Sequence, residues 1–140
     1  MTFGSSVSNY WRLTKPRVWG LLVFTGLVAM VVVYRETPGS TPSPVTILVT
    51  GIALALGCAS ADVLTNYHDR DIDSMMKRTL KRPIPSGDIS PRAALAFGFS
   101  LAALSVATLL FLINVNSAGF MVLGLLDNVV VYSLLLKRRS

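Results

Sequence analysis

Charge is scarce in this 140-residue chain: only 14% of residues are Asp, Glu, Lys or Arg, against 52% hydrophobic. A soluble globular domain carries about 25% charged residues, so an ordinary soluble fold is excluded. Cysteine occurs once, at Cys58, inside an apolar run. It can form no intrachain disulfide, has no metal-ligand spacing around it, and reads as a small buried packing residue. Histidine also occurs once, at His68. Neither an internal repeat nor a low-complexity tail is present. The N-terminal MTFGSSVSNYWRLTKPR lacks the apolar core and small-residue cleavage pattern of a secretory signal, so insertion by a first transmembrane helix is the simpler expectation.

What the chain has in abundance is apolar sequence with little or no charge. Stretches at about 18–34, 45–66, 93–113 and 118–136 predict an all-α, polytopic transmembrane helical bundle. The first is rich in β-branched residues, yet lipid satisfies no open backbone group, so a helix is forced. Pro16 suits the first turn of its helix, and Ser90 followed by Pro91 reads as a cap with proline at the first helical position. RETPGSTPSP at 35–44 and TLKRPIPSGD at 79–88 read as loops, and Asn114 to Ser117 as a tight outer turn. Gly51, Gly57, Ala59, Ser60 and Ala61 permit close helix contact. Tyr10, Trp11 and Trp19 flank the first span as aromatics do at a headgroup boundary.

The net charge of +6 would suit a nucleic-acid partner, but its placement excludes one. Of 13 Lys and Arg, all but Arg35 lie in the N-terminal segment, around the central loop or near the last residue. Those are alternate ends of the spans, which predicts a multi-pass cell-membrane protein with its N-terminus and central loop cytoplasmic.

The central segment, NYHDRDIDSMMKRTLKRPIPSGDI at 66–89, is the densest run of charge in the chain, with five cations and four anions. Asn66, Asp69 and Asp73 are three and four apart, so on a helix continuing to about Met76 they share one face, with Asp62 extending the stripe. Asp71 points away from that face. Lys77, Arg78, Lys81 and Arg82 follow as a cationic block. Carboxylates followed by cations suit a metal-bound polyphosphate, in which oxygen ligands hold a hard cation and Arg and Lys meet the remaining charge.

NYHDRDID followed by MMKRTLKRPIPSG resembles the first aspartate-rich motif of the UbiA-like intramembrane prenyltransferases. Met76, Arg78-Thr79, Arg82-Pro83 and Gly87 resemble the branch of that superfamily that farnesylates protohaem IX. So do Leu13 to Arg17, Val131-Tyr132-Ser133 and Lys137-Arg138. The resemblance implies that Asp69 and Asp73 hold Mg²⁺ on farnesyl diphosphate, with Asn66 as a third site residue orienting the cluster. It implies that Arg70, Lys77, Arg78 and Arg82 contact the diphosphate, with Tyr132, Lys137 and Arg17 as further contacts. The acceptor would be a vinyl group of haem B. Family members have about nine helices and a second aspartate-rich motif, so these residues look like the N-terminal part of one such domain. Isolated, they would be inactive.

Two alternatives stay open. One is a quinone- or lipid-pathway prenyltransferase of the same superfamily, which the RTxxRP continuation disfavours. The other is a non-catalytic four-helix membrane subunit, favoured by the lack of a second DxxxD pair. His68 as a haem ligand, Asp62 paired with a nearby cation, and Asp127 paired across helices are secondary expectations. Asp127 draws notice because acids inside membranes are costly.

Overall fold

A computed structural model describes residues 3–37, 39 and 41–130, with side chains from Val7 onward. Among the described residues there are five helices and no strand: α1 (Phe3–Leu13), α2 (Pro16–Glu36), α3 (Pro44–Met75), α4 (Pro91–Leu112) and α5 (Val115–Leu126). Helices α2, α3 and α4 are long and apolar enough to cross a membrane, which makes this a multi-pass membrane protein. No residue of α2 is buried, the condition of a helix that faces lipid or another helix set.

The starts follow local chemistry. Ser43 Oγ accepts from the Thr46 amide, Ser90 Oγ from Ala93 and Asn114 Oδ1 from Ser117, each satisfying a helix donor that has no intrahelical partner. Pro44, Pro91 and Pro16 occupy opening positions where no N–H is needed. Ser90→Ala is expected to lower unfolding stability by about 1 kcal/mol, measured by denaturant titration in detergent.

Three expectations change. The tight turn at Asn114 to Ser117 is a cap followed at once by α5, because the Asn114 side chain closes the new helix within one residue. Beyond α5 the backbone makes a π-type turn over 127–130, and the remainder of the expected fourth span lies outside the described residues. Cys58 is only partly buried. Helix α1 is an addition: its exposed Val7 and Trp11 lie on one side, while Leu13 enters the core.

α3 is the axis of the molecule, packed against α4, α2, α1 and α5. Its 32 residues span about 48 Å, against a hydrocarbon core of about 30 Å, so one end stands clear of lipid. Close approach to α4 uses small residues: Ser60 Oγ donates to the Gly98 carbonyl at 2.9 Å and Ser105 Oγ to the Ala53 carbonyl at 2.7 Å. At the protruding end, Leu13, Val63, Ile84, Ile89 and Ala94 form one buried cluster. The 76–90 loop is therefore folded onto the helices. Its Ile89 N–H bonds the Pro83 carbonyl at 2.9 Å, and Gly87 supplies the left-handed turn at φ 82°.

Between α1 and α2, Lys15 also takes a left-handed backbone (φ 48°, ψ 65°), which costs a non-glycine residue roughly 1–2 kcal/mol.

Candidate functional site

The last turns of α3 bring Asn66, Asp69 and Asp73 onto one side of the helix, each only 5% exposed. Burial of polar groups at a helix end demands partners. Asp73 Oδ2 receives Arg82 at 2.6 Å, a charge-assisted bond delivered by the folded loop. The Asp73 carbonyl accepts from Thr79 Oγ1 at 2.8 Å, which caps α3 and fixes where the loop departs. Asn66 Nδ2 donates to the Leu13 carbonyl at 2.9 Å, tying α1 to the site. The other end of that amide, Oδ1, is buried and has no hydrogen-bond partner among the described residues.

Not all expected residues gather here. Lys77 and Arg78 are exposed on the loop, and Arg17 is exposed on the first turn of α2. Arg70 lies over the Tyr67 ring at 4.4 Å and meets Asp71 at 3.6 Å. Tyr132 and Lys137 lie outside the described residues. Asp62 has the cation expected of it: Lys15 Nζ at 3.5 Å. The ring nitrogen Nδ1 of His68 bonds the Leu64 carbonyl at 2.9 Å. Asp127 is exposed, and its neighbour Asn128 makes the cross-helix contact, accepting from Thr65 Oγ1 at 3.0 Å. Thr65 precedes Asn66, so the π-type turn after α5 also reaches this turn of α3. Spacing on α3 could not have signalled that, because the two residues are 63 positions apart in the chain.

Two carboxylates and an orphaned amide oxygen are hard donors of the kind magnesium takes. Among the described residues no group of three or more His, Cys, Asp or Glu lies together. Mg²⁺ in general is commonly held by one or two carboxylates and completed by substrate phosphates and water. Beside the site, Tyr10, Trp11, Thr14, Trp19, Ala59 and Phe97 help line an apolar cleft of about 620 Å³. Thr14 connects the two, since it follows the Leu13 carbonyl that holds Asn66.

An acidic stripe facing a basic loop at the protruding end of a long apolar helix, with an apolar cleft alongside, belongs to a helical membrane protein. More narrowly, residues 21–140 match the model of the UbiA prenyltransferase family, and the chain belongs to that family. Protoheme IX farnesyltransferase of Thermoplasma volcanium is 45% identical over 137 residues, 97% of this chain and 46% of that protein. Protoheme IX farnesyltransferase 2 of Cenarchaeum symbiosum is likewise 45% identical, with 46% of its length covered. The protoheme IX farnesyltransferase of Brucella ovis is 40% identical, with 42% covered. The chain thus spans less than half the length of these relatives. No solved structure matches it significantly.

Proposed function

We propose that the full-length protein transfers a farnesyl group from farnesyl diphosphate to a vinyl group of haem B, giving haem O. The observation that carries the reading is the buried Asn66–Asp69–Asp73 stripe with Arg82 on Asp73, in a chain whose relatives bear the name protoheme IX farnesyltransferase. These residues form the N-terminal part of one prenyltransferase domain. A later segment supplies the second aspartate-rich motif. The loop and N-terminus face the cytoplasm at the cell membrane.

Asn66, Asp69 and Asp73 would hold Mg²⁺, which when bound offsets the charge of the departing diphosphate. Arg82 neutralises Asp73 at rest and is half-exposed, so it can also meet a phosphate oxygen. Arg70, Lys77 and Arg78 border the same end of α3 and are the further cations available to the diphosphate, with Arg17, Tyr132 and Lys137 as additional contacts. In the reaction, the C1–O bond of farnesyl diphosphate breaks and its electron pair leaves with diphosphate. The vinyl π electrons then form the new C–C bond to the allylic cation. Water captures the resulting benzylic-type cation and loses a proton, leaving the hydroxyethylfarnesyl group. The apolar cleft suits the isoprenoid tail and keeps bulk water from the first cation.

The test is membranes carrying the full-length protein, supplied with farnesyl diphosphate, haem B and Mg²⁺. The expected product by mass spectrometry is haem O. Prenylated hydroxybenzoate with no haem O would reassign the acceptor.

A further inference from the structure

The elbow between α1 and α2 reaches one turn of α3 through two separate contacts. The Leu13 carbonyl accepts from Asn66 Nδ2 at 2.9 Å, and Lys15 Nζ pairs with Asp62 Oδ1 at 3.5 Å. Asp62 and Asn66 are four residues apart and lie one above the other on the helix. The first contact decides which way round the amide sits. Turned over, Asn66 would set its oxygen against the Leu13 oxygen, two acceptors with no proton between them. With Nδ2 committed to Leu13, Oδ1 is turned away from it, buried and without a donor among the described residues.

We propose that the Lys15–Asp62 ion pair is a positioning device for the metal–diphosphate site, acting through Asn66. By holding the elbow on α3 it keeps the Leu13 carbonyl on Asn66 Nδ2, and so keeps Oδ1 available as a cation ligand beside Asp69 and Asp73. Neither Lys15 nor Asp62 touches a reacting atom. This inference rests on the diphosphate reading above.

Three features support it. Lys15 holds a left-handed backbone, which a lysine keeps only where its surroundings over-determine it. The Leu13 carbonyl sits at the end of α1, and Pro16 has no N–H to close a turn on it, so the Asn66 amide meets a real need. Asp62 Oδ2 is buried without a partner among the described residues, so Lys15 is the cation that keeps this carboxylate seated where it is. Metal ligands are commonly oriented by such outer contacts, whose loss lowers metal affinity without removing a ligand.

The experiment titrates Mn²⁺ into the purified full-length protein and follows the free-ion signal by electron paramagnetic resonance. Asp62→Asn, nearly isosteric, and Lys15→Gly, which relieves the left-handed strain while removing the charge, are each expected to weaken Mn²⁺ binding about tenfold. Lys15→Arg restores the pair and is expected to bind within about twofold of the unaltered protein. In turnover assays, Asp62→Asn should raise the Mg²⁺ requirement while the rate at saturating Mg²⁺ is retained, a split that general loosening of the fold does not produce. Unchanged Mn²⁺ affinity in both Asp62→Asn and Lys15→Gly overturns the proposal. Asp69→Ala separates the two levels. If it abolishes binding while Asp62→Asn does not weaken it, only the positioning role fails; if it too leaves binding unchanged, the metal–diphosphate reading fails with it.

Discussion

Replacing Asp73 or Asp69 with alanine in the full-length protein is expected to lower haem O formation by about a thousandfold or more, with membrane insertion retained. The magnitude follows from the charge involved. Departure of diphosphate concentrates negative charge, and a bound divalent ion contributes several kcal/mol to stabilising it; ~4 kcal/mol is about a thousandfold in rate. Asp73→Ala has a second consequence, because it also strips Arg82 of its 2.6 Å partner and frees the loop end that Asp73 anchors. Asp69→Ala leaves the Arg82 contact in place. The two variants should therefore agree in turnover and differ in the loop: only Asp73→Ala should speed proteolysis between Met76 and Ser90. Turnover within about tenfold of the unaltered protein in both would remove these carboxylates from the chemistry.

The same helix that carries the acids also carries the contacts that bury them, and this is why the site sits where it does. Val63 and Leu64 pack into the core, Asn66 takes the end of α1, and Thr79 with Arg82 closes the far end. A carboxylate stripe left on a bare helix end would stay hydrated and flexible. Enclosing it between α1 and a folded loop lowers the local dielectric, which strengthens the charge interactions the stripe makes, Arg82 on Asp73 among them.

Much of this was legible in the residues. The spans of α2, α3 and α4, the continuation of α3 past lipid to Met75, the Ser90 cap and the Asn66–Asp69–Asp73 face all follow from periodicity and cap chemistry, which are local. Asp62 was readable as half of an ion pair but Lys15 was not its evident partner, because periodicity states which residues share a face and not what lies opposite. The Leu13–Asn66 bond crosses 53 positions and uses a backbone carbonyl, which has no sequence signature. Helix α1 was hidden for a different reason: it is short and polar, and its stability comes from Leu13 and Tyr10 docking in the tertiary core. The early start of α5 was missed because asparagine serves turns and caps equally well.

Gly98→Leu is expected to be the most damaging change outside the acidic stripe, and the reason lies in what its neighbours can do. A Cβ at Gly98 would stand 2.9 Å from Leu64 Cδ2, 3.1 Å from Leu64 Cγ and 3.2 Å from Val63 Cγ1. Leu64 Cγ and Val63 Cγ1 are near the α3 backbone, and both side chains are buried, so relief requires the helices to part. Parting them also breaks the Ser60 bond to the Gly98 carbonyl, in a segment where apolar lipid offers no replacement. Overpacking of about 3 kcal/mol is expected, read as an earlier unfolding midpoint in detergent, with turnover falling because Asn66 moves with Leu64. Gly57 makes the contrast. Its Cβ would come nearer to a neighbour, 2.5 Å from Met121 Sδ, yet that neighbour is the flexible end of a thioether chain that can swing aside, which leaves one fixed contact, the buried Ser105 Oγ at 3.1 Å, against the two side chains that crowd Gly98. Gly57→Ala should therefore cost less than Gly98→Ala although its shortest contact is closer. The reverse order would mean that α3 and α4 are not held together at Gly98, and the positions assigned to Val63, Leu64 and the acids beyond them would have to be redrawn.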